Sequence, residues 1–196
     1  MRDEARSLVA ETLKKVRMPD VNRVFRSYPH ELSGGMLQRA AIAAALLAKP
    51  KILIADEPTS MLDATIQVQI LKLLTDLVKS ERVSLIMITH NLGVAYRVCE
   101  QSAIMYAGVI VEEGLTAEII KNPLHPYTKS LVEAIPRVSH RISRIRHVPG
   151  EPIDPRLDVS GCPFANRCPS VMDECSSTVK YVNVEGRRVF CNLYSG

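Results

Sequence analysis

An α/β fold with a mostly parallel sheet is predicted by three features of this 196-residue sequence. Two short apolar runs, residues 52–55 and 83–89, are bounded by turn and breaker residues, as buried strands are. Residues 65–79 between them have helical periodicity, and strand–helix–strand alternation implies a right-handed crossover between parallel neighbours. Aromatic residues are scarce and Trp is absent, which suits an aliphatic interior and argues against a surface for stacking nucleic-acid bases.

Element by element, residues 3–16 place Leu8, Val9, Leu13 and Val16 at helical spacing, and Pro19 stops that helix. Residues 21–32 read as irregular. Ser33-Gly34-Gly35 then opens a helix over 36–48, rich in Ala and Leu and closed by Pro50. The strand at 52–55 carries Asp56 and Glu57 at its C-terminal end. A helix over 65–79, a second buried strand over 83–89 and a helix over 92–99 follow. Residues 101–106 and 109–113 flank Ala107-Gly108 and read as a hairpin on the sheet edge, with a short helix at 117–121. From Asn122 the character changes: Pro123, Pro126, Pro136, Pro149, Pro152 and Pro155 punctuate the chain, and four of the five cysteines fall in its last quarter. The expected division is therefore a domain at 1–122 and a Pro- and Cys-rich extension at 123–196.

The net charge of +4 is mild, and the basic residues are scattered except for Arg137, His140, Arg141, Arg144 and Arg146. Such a run is a solvated face or a phosphate or headgroup contact. No stretch reaches the ~18 apolar residues of a membrane span, so the chain is expected to be soluble by itself. Met1-Arg2-Asp3-Glu4 leads into no signal-type apolar stretch, which points to a reducing compartment. There, Cys162, Cys168, Cys175 and Cys191 read as metal ligands more readily than as disulfides; Cys99, far away on a predicted helix, reads as a small core residue.

The chemistry concentrates in three places. Ser33-Gly34-Gly35 precedes a long helix, whose N-terminus offers unpaired N–H groups and partial positive charge to an anion; the same residues also suit a plain helix cap. Asp56-Glu57 ends an apolar strand, and Thr89-His90-Asn91 ends the next. Leu32-Ser33-Gly34-Gly35-Met36-Leu37-Gln38-Arg39 resembles the signature motif of ABC ATPases, and Tyr28-Pro29-His30-Glu31 before it is similar to their transporter members. Ile52-Leu53-Ile54-Ala55-Asp56-Glu57-Pro58 looks like the Walker B strand, Ser60-Met61-Leu62-Asp63 like the D-loop and His90 like the switch histidine. Met61 stands where Ala is commoner and Asn91 where Asp is commoner. The four motifs occur in family order over residues 28–114.

The resemblance implies a partial P-loop NTPase (RecA-like) ABC ATPase core, with ATP and Mg²⁺ as ligands. It implies Asp56 on the metal, Glu57 polarising the attacking water and His90 on the γ-phosphate. Ser33, Gly34, Gly35, Gln38 and Asp63 would act across a head-to-tail dimer on the nucleotide of a second ATPase subunit. The Walker A half is lacking: the sequence has no G-x-x-x-x-G-K-[ST] and no Gly-Lys pair at all, so the isolated chain is expected to show no significant ATPase activity.

Asn122-Pro123-Leu124-His125-Pro126-Tyr127-Thr128 resembles the start of the extension on oligopeptide/dipeptide-type transporter ATPases, and the four-cysteine segment resembles the cluster that holds [4Fe–4S] in some members. Zinc is the alternative ligand, and four unrelated reduced thiols a third reading. His125 receives no ligand role. The resemblance further implies transmembrane permease partners, an extracellular solute-binding protein acting indirectly, no nucleic acid, and a peripheral position on the cytoplasmic face of the membrane. Peptides, nickel and sugar oligomers are all substrates of similar systems. The alternative is a non-catalytic module that binds an Fe–S cluster or zinc and completes an ATP site in trans.

Overall fold

Charge placement and left-handed breaks set the limits of the first helices. The computed structural model describes residues 2–135, 150–154, 156 and 160–195, and the chain divides into two compact units, Met1–Val94 and Ala95–Gly196. The basic run Arg137, His140, Arg141, Arg144 and Arg146 lies outside the described residues.

In the first unit, helix α1 (Arg2–Lys15) has Asp3 and Glu4 in its first turn and Lys14 and Lys15 in its last, each sign placed to favour the helix dipole. It ends ahead of Pro19, where Arg17 turns to φ 54°. The stretch read as irregular contains a single-turn helix α2 (Val21–Val24), capped by the Asp20 carboxylate accepting from the Arg23 amide, and a 3-10 turn at Pro29–Glu31. Helix α3 (Gly34–Leu47), strand β1 (Ile52–Asp56), helix α4 (Ala64–Glu81) and strand β2 (Ser84–Ile88) follow, and helix α5 (Leu92–Val98) begins at the end of the unit.

Strands β1 and β2 pair in parallel, with Ile54 opposite Ile86 and Asp56 opposite Ile88. Leu53 and Ala55 of β1 pack into a core with Leu13 and Val16 of the α1 segment, Ile42, Ala43 and Leu46 of α3, and Ile70, Leu73, Leu74 and Leu77 of α4. The expectation that both strands are buried is corrected here. Ile52, Ile54, Ile86 and Ile88 are 51–65% exposed, because the helix stripes of this unit meet only the Leu53/Ala55 face.

In the second unit, strands β3 (Gln101–Tyr106) and β4 (Val109–Leu115) form the predicted hairpin through Ala107 and Gly108, both at positive φ as a tight two-residue connection requires. The hairpin is not on the edge of the parallel sheet. It belongs to a separate antiparallel sheet of order β3-β4-β6-β5, completed by two strands that the sequence reading missed, β5 (Tyr181–Val184) and β6 (Arg187–Phe190). Helices α6 (Thr116–Lys121) and α7 (Pro126–Glu133) lie between them in sequence.

A buried ion pair explains this joining. Glu112 of β4 and Arg187 of β6 are 0% and 3% exposed and 3.3 Å apart. The Glu112 carboxylate also accepts from the amides of Leu124 (3.1 Å) and His125 (2.9 Å), while Arg187 Nη1 donates to the Asn122 carbonyl at 2.6 Å. Gly114 leaves room for this arginine, since a Cβ there would stand 2.5 Å from Arg187 Cγ. Compactness therefore changes at Val94/Ala95, upstream of the compositional change at Asn122: the late strand β6 is paired with the early strand β4. Among the described residues no helix is long and apolar enough to cross a membrane.

Candidate functional site

The parallel pairing of β1 and β2 brings their C-terminal tips side by side. The Glu57 amide donates to the Ile88 carbonyl at 3.0 Å, continuing the ladder one residue beyond β1. Glu57 has φ 41°, a left-handed conformation that costs roughly 1–2 kcal/mol for a residue with a Cβ. The turn after it is closed by Ser60, whose amide and hydroxyl donate to the Glu57 carbonyl at 3.1 and 2.9 Å.

The result is that Glu57 Oε1 stands 3.1 Å from His90 Nδ1, with both side chains open to solvent. Thr89 Oγ1 accepts from the Asn91 amide, and Asn91 Oδ1 accepts from the amides of Gly93 and Val94 at 2.9 and 3.3 Å. Asn91 thus caps α5 as an aspartate would, and it anchors the turn that presents His90. Asp56, the last residue of β1, is exposed and takes part in no ion pair among the described residues.

The second constellation is where α3 and α4 start. Ser33 has extended backbone, and its Oγ accepts from the Met36 amide at a long 3.4 Å. Gly34 is exposed and Gly35 is buried. A Cβ on Gly35 would lie 2.7 Å from Ile66 Cγ2, and one on Gly34 would lie 3.2 Å from Leu62 Cδ2. Gly35 is therefore required by the packing of α3 on α4, whatever else approaches it. Asp63 caps α4, its Oδ1 accepting from the amides of Thr65 and Ile66, each at 3.0 Å. Gln38 is half-buried on α3. The structure thus joins Glu57 with His90, and it joins the Ser33-Gly34-Gly35 turn with the loop that ends at Asp63.

The third constellation lies wholly in the second unit. Cys162, Cys175 and Cys191 are buried and Cys168 is partly so, and all are reduced. Burial pushes the Cys162 thiol up to about 11, and the like charges that Cys191, Cys168 and Cys175 would carry add to the rise. Burial raises Cys168 and Cys191 as well. Opposing it, backbone amides donate to three sulfurs, from Phe164 to Cys162, Ser170 to Cys168 and Leu193 to Cys191. The Cys162 amide donates to the Cys175 carbonyl at 2.8 Å. Gly161, at φ 83°, permits this approach, since a Cβ there would collide with the same carbonyl.

Among the described residues, no three His, Cys, Asp or Glu side chains stand as a ready metal-holding set. The four thiols lie within electrostatic range of one another without being assembled as ligands. Cys99 is half-buried, apart from them in sequence.

Sequence reasoning missed one member of this group. His125 is 1% exposed, its Nδ1 accepts from the Tyr127 amide at 3.0 Å and its Nε2 lies 3.8 Å from Cys162 Sγ. The available signal was its position ahead of Pro126, the N-cap place of α7.

Comparison with solved structures defines the class. The structure matches the ATP-binding cassette MJ0796, in a dimeric post-hydrolysis state bound to ADP and Pi, with TM-score 0.51 and 32% identity over 58% of this chain and 48% of that one. It matches cbiO1 from Clostridium perfringens, part of the cbiONQ ABC transporter complex, with TM-score 0.55 and 32% identity over 62% and 47%. The fold is that of an ABC ATPase.

The ABC transporter family model matches residues 2–60, and the model for the oligopeptide/dipeptide transporter C-terminal region matches residues 111–175. The oligopeptide transport ATP-binding protein AppD of Bacillus subtilis is 41% identical over 193 residues, 97% of this chain and 59% of that protein. OppD of Salmonella typhimurium is 44% identical over 84% of this chain and 49% of its own length; for the dipeptide transport protein DppD of Bacillus subtilis the values are 46%, 87% and 51%. The chain belongs to the oligopeptide/dipeptide family of ABC transporter ATP-binding subunits and corresponds to the C-terminal part of such a subunit. It spans about half the length of the curated relatives it matches.

Proposed function

We propose that this chain supplies the hydrolytic and signature elements of an ATPase that drives solute import, with oligopeptides or dipeptides as the transported class. The observation that carries the reading is the Glu57–His90 pair, 3.1 Å apart at adjacent strand tips. Glu57 accepts a hydrogen bond from the attacking water, and His90 holds that carboxylate and meets the terminal phosphate. The exposed carboxylate of Asp56 suits Mg²⁺, which neutralises phosphate charge when bound. Ser33, Gly34, Gly35, Gln38 and Asp63 face the nucleotide of a second subunit across a dimer. Permease subunits take up the resulting motion, a solute-binding protein delivers the cargo to them, and the ATPase sits at the cytoplasmic face of the membrane. Residues 1–122 form the ATPase part and residues 123–196 the extension.

The 196 residues hold no phosphate-binding lysine loop, so the purified chain is expected to hydrolyse no ATP above background. Joined to the N-terminal half of the AppD relative, it should gain hydrolysis; ATP turnover by the chain alone would overturn the assignment.

A second reading concerns the thiols, and the observation favouring it is the set of amide donors aimed at three of the four sulfurs. Soft thiolates with N–H···S support suit a [4Fe–4S] cluster, or zinc in its place. On this reading Cys162, Cys168, Cys175 and Cys191 would be the residues to hold that group, although their thiols are not assembled as ligands among the described residues. Anaerobic reconstitution with iron and sulfide should give a brown protein; a colourless zinc-containing sample would select zinc, and a sample free of both would remove this reading.

A further inference from the structure

The segment from Glu57 to Asp63 joins the strand tip that carries the Glu57–His90 contact to the cap of α4, and it is pinned at several points. Pro58 is buried and Thr59 partly so. The Ser60 amide donates to the Glu57 carbonyl at 3.1 Å, and the Leu62 amide to the Thr59 carbonyl at a long 3.4 Å. Leu62 packs against the core of the first unit, its Cδ2 3.2 Å from where a Cβ on Gly34 would stand. Between these points Glu57 and Met61 take left-handed backbone, at φ 41° and 65°, which residues with a Cβ keep only where their surroundings hold them.

A polar hold comes from outside the segment. Gln67, partly buried in the first turn of α4, donates from Nε2 to Thr59 Oγ1 at 3.3 Å. Gln67 is itself fixed, because its amide donates to the Asp63 carbonyl at 2.8 Å and its helix is anchored in the core by Ile70, Leu73 and Leu74. Thr59 is therefore the place where a packed helix, rather than the segment itself, sets the turn.

We propose that Gln67 is a positioning residue: through Thr59 it ties the turn after β1 to α4 and so holds the Glu57 carboxylate against His90. The consequence for hydrolysis rests on the function proposed above; the tie itself does not. A carboxylate that orients the attacking water loses on the order of 10²-fold in rate when displaced by about 1 Å, so a remote amide can matter to the reaction without touching it. At the far end of the segment Leu62 lies against Gly34, and the Glu57 turn and the Ser33-Gly34-Gly35 turn thereby share one packed frame.

The nucleotide-free full chain tests the tie. Thr59→Val keeps the branched shape and removes the acceptor, Gln67→Met removes the donor, and Thr59→Ser keeps a hydroxyl in place. In hydrogen exchange followed by NMR, Thr59→Val and Gln67→Met should each speed exchange of the Ser60 and Leu62 amides about 2-fold to 10-fold, the range one hydrogen bond carries. The double variant should be no faster than either single one, and Thr59→Ser should match the parent. The ring-nitrogen signals of His90 should move toward their positions in Glu57→Ala, where the contact is absent, a change that general loosening of α4 would not produce. Parent-like exchange, or unmoved His90 signals, in both Thr59→Val and Gln67→Met overturns the positioning role. In the domain completed with the N-terminal half of the AppD relative, the same two variants should lower the single-turnover rate about 10-fold to 100-fold and leave ATP affinity unchanged. An undiminished rate, or equal losses of rate and affinity, overturns the consequence for hydrolysis. A completed parent that hydrolyses no ATP overturns the hydrolytic reading and that consequence together, while amide exchange and the His90 signals still decide whether Gln67 holds the turn.

Discussion

Ser33, Gly34 and Gly35 are consecutive, yet the structure separates what each one does. Gly35 is held by Ile66 Cγ2, 2.7 Å from where its Cβ would stand. Gly35→Val should therefore cost about 1–3 kcal/mol by overpacking, with part of it recovered in combination with Ile66→Ala, as thermal unfolding would register. Ser33 is exposed and gives only one long cap bond. Ser33→Arg should leave stability within about 1 kcal/mol and abolish ATP-driven dimerisation of the completed ATPase, seen by size-exclusion chromatography; undiminished dimerisation would remove Ser33 from the shared site. Asp63, with two amides on one carboxylate oxygen, has a structural duty as a helix cap, so Asp63→Ala should cost about 1 kcal/mol of stability besides any effect on nucleotide.

At the scale of elements, helices α1, α3 and α4 and the two strands of the first unit were legible because each signal was local: periodicity between breakers, Ser33 as a cap, an apolar run ending in acid. Strands β5 and β6 were not, because Tyr181–Val184 and Arg187–Phe190 are only four residues each and join the sheet through the pairing of β6 with β4, far away in sequence. The Glu112–Arg187 pair was equally invisible, being 75 residues apart. His125 went unread for the same reason: its partner Cys162 is 37 residues away, and no spacing rule connects them. The buried pair carries a prediction of its own. Glu112→Gln or Arg187→Met alone should destabilise the second unit by about 3–5 kcal/mol in urea unfolding, whereas the double change to apolar residues should cost less than the sum.

For the whole molecule, the exposed isoleucines of β1 and β2 are the feature that the ordered motifs least foretold. A parallel sheet is ordinarily covered on both faces, and the proposed function has the rest of the ATPase domain cover Ile52, Ile54, Ile86 and Ile88. Ile54→Lys combined with Ile86→Lys should make the chain alone more soluble and block restoration of hydrolysis by the added half. Catalysis itself is assigned to one exposed contact, between Glu57 and His90. The decisive measurement is single-turnover ATP hydrolysis by the completed domain, comparing the parent with Glu57→Gln. A rate lower by about 10²-fold or more with ATP binding intact is the predicted result, and a Glu57→Gln protein that cleaves ATP at the parental rate would contradict the assignment of hydrolysis to these strand tips.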